Sequence, residues 1–108
     1  MHISFHSKHL RSICESESYA KEILGVQLSK KLLRRIFDID ATQNILSLPV
    51  GNPKSSFQDG EEYIIVCLDS STDIGFTCGH TTPPKNADGS VDWSNVSRIK
   101  LMFIGDEK

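Results

Sequence analysis

The sequence has few cysteines, no excess of positive charge and no long apolar run. Its three cysteines, Cys14, Cys67 and Cys78, are an odd number without C-x-x-C spacing, which argues against a disulfide framework and against a zinc knuckle. We expect them to be small buried apolar residues. The formal net charge is −2 at pH 7, so any contact with nucleic acid would need a local basic patch rather than an overall positive field.

Nothing in the sequence predicts a membrane segment. No apolar run approaches the roughly 18 residues that span a bilayer, and residues 1–5 lack the apolar core of a signal peptide. A soluble cytoplasmic protein is therefore expected. With 108 residues, of which 38% are hydrophobic, the chain can form one compact core, and we predict a single domain over residues 1–108.

The first half of the chain is mainly helical in pattern. Residues 2–5 alternate polar and apolar side chains, which predicts a short half-buried strand. Residues 7–18 carry an apolar stripe behind a possible serine N-cap and predict a short helix. Residues 19–39 predict a long helix, with Gly25 as the expected position of a break or kink. Residues 44–48 are expected to add one helical turn.

Beyond Pro49 the pattern changes from helix to sheet. The apolar run at residues 63–68 and the strand-like residues 74–78 predict a hairpin with a long loop. Residues 79–95 are rich in turn formers and predict an extended excursion, and the alternation over residues 96–104 predicts a closing strand. This β-α-α-β-β-β order indicates an α+β two-layer domain, with both N-terminal helices on one face of a small antiparallel-dominated sheet.

Residues spread along nearly the whole chain resemble a known family. The start and the long helix contribute Ile3-Ser4-Phe5-His6-Ser7-Lys8, Leu10, Cys14, Leu32, Arg35, Asp38 and Ala41. The second half contributes Leu46 to Pro49, Gly51, Asp88-Gly89, Val91-Asp92-Trp93-Ser94, Val96, Ile104 and Asp106. In this combination the chain resembles the HigB-like plasmid-maintenance killer proteins, which are toxins of the RelE/ParE superfamily.

The resemblance implies a RelE/ParE-like fold and the toxin role in a bacterial type II toxin–antitoxin system. Such toxins inhibit growth as ribosome-dependent endoribonucleases, or mRNA interferases, and a cognate helix-turn-helix antitoxin neutralises them. The implied partners are thus the antitoxin, the ribosome and messenger RNA, with no cofactor and no membrane. Cleavage without metal needs a base, cationic stabilisation of the phosphate and an acid for the leaving oxygen.

Several positions differ from the family pattern. Asp106-Glu107-Lys108 stands where the family has Asp-Tyr-His, and the family's tyrosine-arginine pair on the second hairpin strand falls near Thr72-Asp73. Residues 53–62, which are basic in relatives, keep only Lys54 as a cation. These differences leave open a catalytically inactive or docking protein of the same fold that still captures its antitoxin. A third interpretation is an unrelated small α+β domain.

Four residues are candidates for a rearranged catalytic set. They are Lys54, the cation before the hairpin, His80, just after its second strand, and Asp106 and Lys108 at the family's last positions. Each also has a simple structural interpretation, as a solvated charge, a loop histidine or a frayed chain end.

The long helix carries the concentrated basic patch of the chain. Its members Lys30, Lys31, Arg34 and Arg35 are spaced so that pairs four apart lie along one side. The patch could contact ribosomal RNA, or it could be the ordinary solvated face of an amphipathic helix.

The single tryptophan and the histidines near the start of the chain are further candidates. Trp93 could stack on a base, although packing on the core is the favoured interpretation. His2, His6 and His9 are not spaced to place three imidazoles on one face of an element, so a metal site is not expected.

Overall fold

The computed structural model describes all residues, 1–108, as an α+β domain with three α-helices and one five-stranded mixed sheet. The helices are α1 (Lys8–Glu15), α2 (Glu17–Leu24) and α3 (Val26–Ala41). The strands are β1 (His2–Phe5), β2 (Lys54–Gln58), β3 (Glu61–Cys67), β4 (Asp73–Cys78) and β5 (Arg98–Ile104). Short 3₁₀ turns lie at Ile45–Ser47 and Trp93–Asn95.

The sheet has the strand order β1-β5-β4-β3-β2. β1 pairs parallel with β5, whereas the other three pairings are antiparallel. A two-residue turn at Asp59 and Gly60 joins β2 to β3, and both residues have positive φ, 52° and 79°, as a tight hairpin turn of this length requires. β2 and β1 are therefore the two edges of the sheet.

One face of the sheet carries the core. Alternate residues of β3, β4 and β5 are fully buried with residues of all three helices, and each buried Val, Leu, Ile or Phe side chain contributes roughly 1.5–3 kcal/mol of burial free energy. These fully buried side chains include Leu10, Ile13, Ala20, Leu32, Ile39, Ile64, Val66, Ile74, Phe76, Ile99 and Leu101. The intervening residues form the opposite face, here called the open face: Lys54, Ser56, Tyr63, Ile65, Cys67, Gly75, Thr77, Lys100 and Phe103.

The predicted pair of helices is wrong, because the chain forms three. Ser16 adopts an extended conformation, φ −121° and ψ 112°, and its hydroxyl accepts a hydrogen bond from the Tyr19 N–H. It therefore ends α1 and caps α2. Gly25, with φ 84°, separates α2 from α3, so the break predicted at this glycine is confirmed.

The predicted set of three strands after the helices is also wrong, because β2 is a fourth. Residues 54–58 are mostly polar, and only Ser56 among them is partly buried. Hydrogen bonding to β3 rather than burial defines this strand, so the sequence carries no alternation to reveal it. The hairpin of β3 and β4, the closing strand and the helical turn near residue 45 are confirmed. None of the helices has both the length and the apolar character needed to cross a bilayer.

Candidate functional site

An aromatic pair lies at the centre of the open face. The rings of Tyr63 and Phe103 are 6.3 Å apart between centroids and tilted by 35°. Phe103 lies directly over Gly75 on the neighbouring strand, where any Cβ would overlap the ring. Burial raises the pKa of Tyr63, with smaller contributions from Glu61 and Asp59, so the phenol stays neutral at physiological pH. We call Tyr63 and Phe103 the aromatic platform.

Charged groups of both signs lie beside this platform. Lys54 is paired with Ile65 in register, and Cys67 is paired with Asp73. A hydrogen bond to the Asp73 carboxylate, together with burial, raises the pKa of the Cys67 thiol, while Lys54 and Arg35 act in the opposite direction. The carboxylate therefore offsets part of the positive potential that these two cations produce.

The four candidate catalytic residues do not come together. His80 lies where β5 begins, whereas Asp106 and Lys108 follow the other end of β5. This seven-residue strand is roughly 20 Å long. Lys54 lies on β2, three strand spacings or about 14 Å across the sheet from β5. His80 therefore lies at the opposite end of β5 from Asp106 and Lys108, and Lys54 lies on a different strand from both positions.

His80 has a structural role. Its Nε2 accepts hydrogen bonds from the backbone N–H groups of Ser97 at 2.9 Å and Arg98 at 3.3 Å. These bonds require an unprotonated Nε2 and fix the start of β5 against the segment after β4. Nε2 of His80 is thus already engaged with the backbone.

Three acid–base side chains that sequence reasoning missed do come together. His9 of α1 lies with Nδ1 2.7 Å from the Tyr19 hydroxyl of α2 and with Nε2 2.6 Å from Oε1 of Glu107, which follows β5. The side chains of His9 and Glu107 are about one-third exposed. We call these three residues the His9 cluster. No local motif could reveal it, because His9 and Glu107 are 98 positions apart.

The basic patch of α3 divides into two parts. Lys30, Lys31 and Arg34 are exposed. Arg35 turns inward, with its side chain 17% exposed and Nη1 3.5 Å from Asp38 Oδ2, and its Nε is buried without a partner. The three exposed cations are therefore available to bind a polyanion, while Arg35 packs beneath Gly51.

Trp93 packs on the core, as the favoured interpretation predicted. It is 4% exposed, and its Nε1 donates a hydrogen bond of 2.6 Å to Oε2 of Glu62. The other carboxylate oxygen of Glu62 accepts the Val91 N–H at 3.0 Å. Because its ring is covered, Trp93 does not serve as a stacking surface for a base.

No group of three or more His, Cys, Asp or Glu side chains is arranged to hold a metal ion. No family model, no curated protein and no solved structure matches the chain.

Proposed function

We propose that the chain is the toxin component of a bacterial type II toxin–antitoxin pair of the RelE/ParE kind, and that it acts by docking on its target rather than by cleaving RNA. The observation that carries this proposal is the separation of Lys54, His80 and Asp106, because His80 and Asp106 lie at opposite ends of β5 and Lys54 lies three strand spacings away from β5. Cleavage requires base, acid and cation around one phosphate. Docking has no such requirement.

The open face has the composition of a binding surface. The aromatic platform and Ile65 are half-buried and form an apolar centre. Aromatic side chains with large contact area commonly dominate binding free energy at protein interfaces. Lys54 and Lys100 lie on either side of this centre, and Asp73 adds a negative charge. The mixed charges suit a protein surface better than the uniform negative charge of a nucleic-acid backbone.

The chain would have two binding partners. One is the target whose inhibition arrests growth, and the other is a helix-turn-helix antitoxin encoded beside the gene for this chain. Both follow from the resemblance of the residues to HigB-like toxins. An α+β domain with one strand before its helices and the other strands after them is compatible with this resemblance, and the departures at Asp106-Glu107-Lys108 and Asp73 fall where such toxins place their cleavage machinery.

The test compares two phenylalanines, the half-buried Phe103 and the exposed Phe37. Phe103→Ala removes half of the aromatic platform, whereas Phe37→Ala removes a ring that is 75% exposed on α3, away from the open face. We expect induction of the natural chain to arrest growth, Phe103→Ala to relieve that arrest and Phe37→Ala to retain it. Equal arrest by both variants would exclude the open face as the docking surface. Trp93 fluorescence verifies that each variant is folded.

The His9 cluster favours one second candidate, RNA cleavage by a rearranged set of groups. The Glu107 carboxylate, the His9 imidazole and the Tyr19 phenol form a hydrogen-bonded chain. Lys108 follows Glu107 in the sequence, close to where the family places its last acid–base pair. In that case His9→Ala and Tyr19→Phe would abolish a measurable cleavage of messenger RNA on ribosomes. The docking proposal instead predicts no cleavage by the natural chain.

A further inference from the structure

The outer edge of β2 is open. β2 pairs only with β3, and four of its five side chains are exposed. Phe57 in particular is 68% exposed. An edge strand with no cover presents free N–H and C=O groups to any strand that can align with it.

The register identifies which backbone groups are free. In a hairpin with a two-residue turn, the residues that flank the turn form a hydrogen-bonded pair, and such pairs then alternate along the ladder. Gln58 and Glu61 flank this turn, so Lys54, Ser56 and Gln58 bond to β3. Consistent with this phase, the Cys67 N–H bonds toward the β2 side, to the Gly51 carbonyl at 2.7 Å. The N–H and C=O groups of Ser55 and Phe57 therefore point outward.

We propose that β2 pairs antiparallel with β2 of a second copy of the chain, about a twofold axis at Ser56. In this arrangement the free backbone groups of one β2 pair with those of the other, since Ser55 lies opposite the partner's Phe57 and each such pair exchanges two N–H···O bonds. The two five-stranded sheets become one continuous sheet. The two open faces then lie side by side.

The side chains agree with this self-pairing. The two Phe57 rings are diagonal neighbours on one face, at a separation of about 7–8 Å that aromatic side chains can bridge. Lys54 faces the partner's Gln58 and lies next to the partner's Asp59, so opposite charges are neighbours and no like charges face each other. The exposed Phe57 ring thus gains an aromatic partner in the second copy.

The contact between the two β2 strands is small. A single pair of five-residue strands buries less than the roughly 1,200–2,000 Å² of a stable protein–protein interface. The dimer is therefore weak and depends on concentration. The dimer does not depend on the toxin proposal, because it follows from the hydrogen-bonding pattern of β2 alone.

Sedimentation of the full chain over a concentration series tests this inference. Ser55→Pro removes an outward N–H without disturbing the β2–β3 ladder and should keep the chain monomeric at every concentration. Ser55→Ala is the matched control and should dimerise as the natural chain does. A natural chain that remains monomeric up to millimolar concentration, or a dimer that Ser55→Pro leaves unchanged, would overturn the inference.

A crosslink gives an independent measurement that does not depend on the proline variant folding. Ser56 faces its own copy across the axis as a close, non-hydrogen-bonded pair. Ser56→Cys should therefore form a covalent dimer under a mild oxidant, and Gln58→Cys, which faces the partner's Lys54, should not. Equal crosslinking at both positions would count against the proposed register. Binding of an unrelated extended peptide to β2, with no self-association, would also contradict the inference.

Discussion

Nε2 of His9 lies 2.6 Å from Oε1 of Glu107, so α1 is tied directly to the turn that follows β5. The turn doubles back through Gly105, φ 56°, and Glu107 exchanges two backbone hydrogen bonds with Ile104. The Tyr19 hydroxyl holds the other side of the imidazole. Two helices and the end of the sheet are joined through one side chain.

Glu107→Gln removes the charge from this contact while leaving an acceptor. Because both side chains are about one-third exposed, solvent screens the pair and we expect a loss of only about 0.5–1 kcal/mol in unfolding free energy. Urea unfolding measures it. Asp106→Asn, a neighbouring exposed carboxylate, is the control and should change little. A Glu107→Gln variant as stable as the natural chain would show that the charge of Glu107 contributes nothing to stability.

Glu62→Ala removes the acceptor for both the Trp93 ring N–H and the Val91 N–H. Because Trp93 is 4% exposed, its N–H would be left buried without a partner, at a cost of about 1–3 kcal/mol. Thermal unfolding followed by tryptophan fluorescence measures the loss. Glu61→Ala, at an exposed position on the same strand, should leave the midpoint nearly unchanged. Equal effects of the two substitutions would contradict this assignment.

Gly51→Ala should destabilise the chain strongly. Gly51 has φ 78°, and a Cβ there would lie 2.6 Å from Val66 Cγ1 and 3.1 Å from Arg35 Nε. The variant therefore suffers backbone strain and a core overlap together, with an expected loss above about 1 kcal/mol. Gly89→Ala separates the two effects, because Gly89 has φ 88° but nothing within 4 Å of the added Cβ. Urea unfolding should show the larger loss for Gly51→Ala, and the reverse order would refute the packing argument.

Local pattern predicted much of this fold. The apolar runs of β3 and β4 and the glycine break at Gly25 are visible in the sequence because each depends on neighbouring residues alone. β2 could not be predicted in this way, since Phe57 is its only large apolar residue and is exposed. The change from one helix to the next near residue 18 was predicted, but the sequence did not single out Ser16 as the residue that caps α2.

The candidate site was less predictable than the fold. Lys54, His80 and Asp106 were chosen by position relative to the hairpin and the last strand, but strand order and direction place Lys54 three strands from β5 and place His80 and Asp106 at its opposite ends. The His9 cluster depends on where the chain returns after β5, a long-range relation with no local signal. Residues this far apart in the sequence can be assigned to one site only after the topology of the fold is known.

Asp73→Asn should make Cys67 more reactive. Asp73 is the main cause of the raised pKa of Cys67, while Lys54 and Arg35 lower it. Removing the carboxylate lowers the pKa, so more thiolate is present at a given pH and alkylation accelerates. Peptide mapping after iodoacetamide treatment measures each thiol separately. Cys14, whose pKa burial raises to about 12, is the internal reference and should react slowest in both proteins. An unchanged Cys67 rate would contradict the proposed influence of Asp73.

The most direct test of the docking proposal is to map messenger RNA ends on translating ribosomes after the purified chain is added, alongside growth arrest in cells that express it. We predict growth arrest that co-expression of the neighbouring helix-turn-helix protein reverses, with no new messenger RNA ends at the decoding site. Cleavage at the decoding site that disappears in His9→Ala or in Asp106→Ala/Lys108→Ala would contradict the proposal and establish the chain as a ribonuclease.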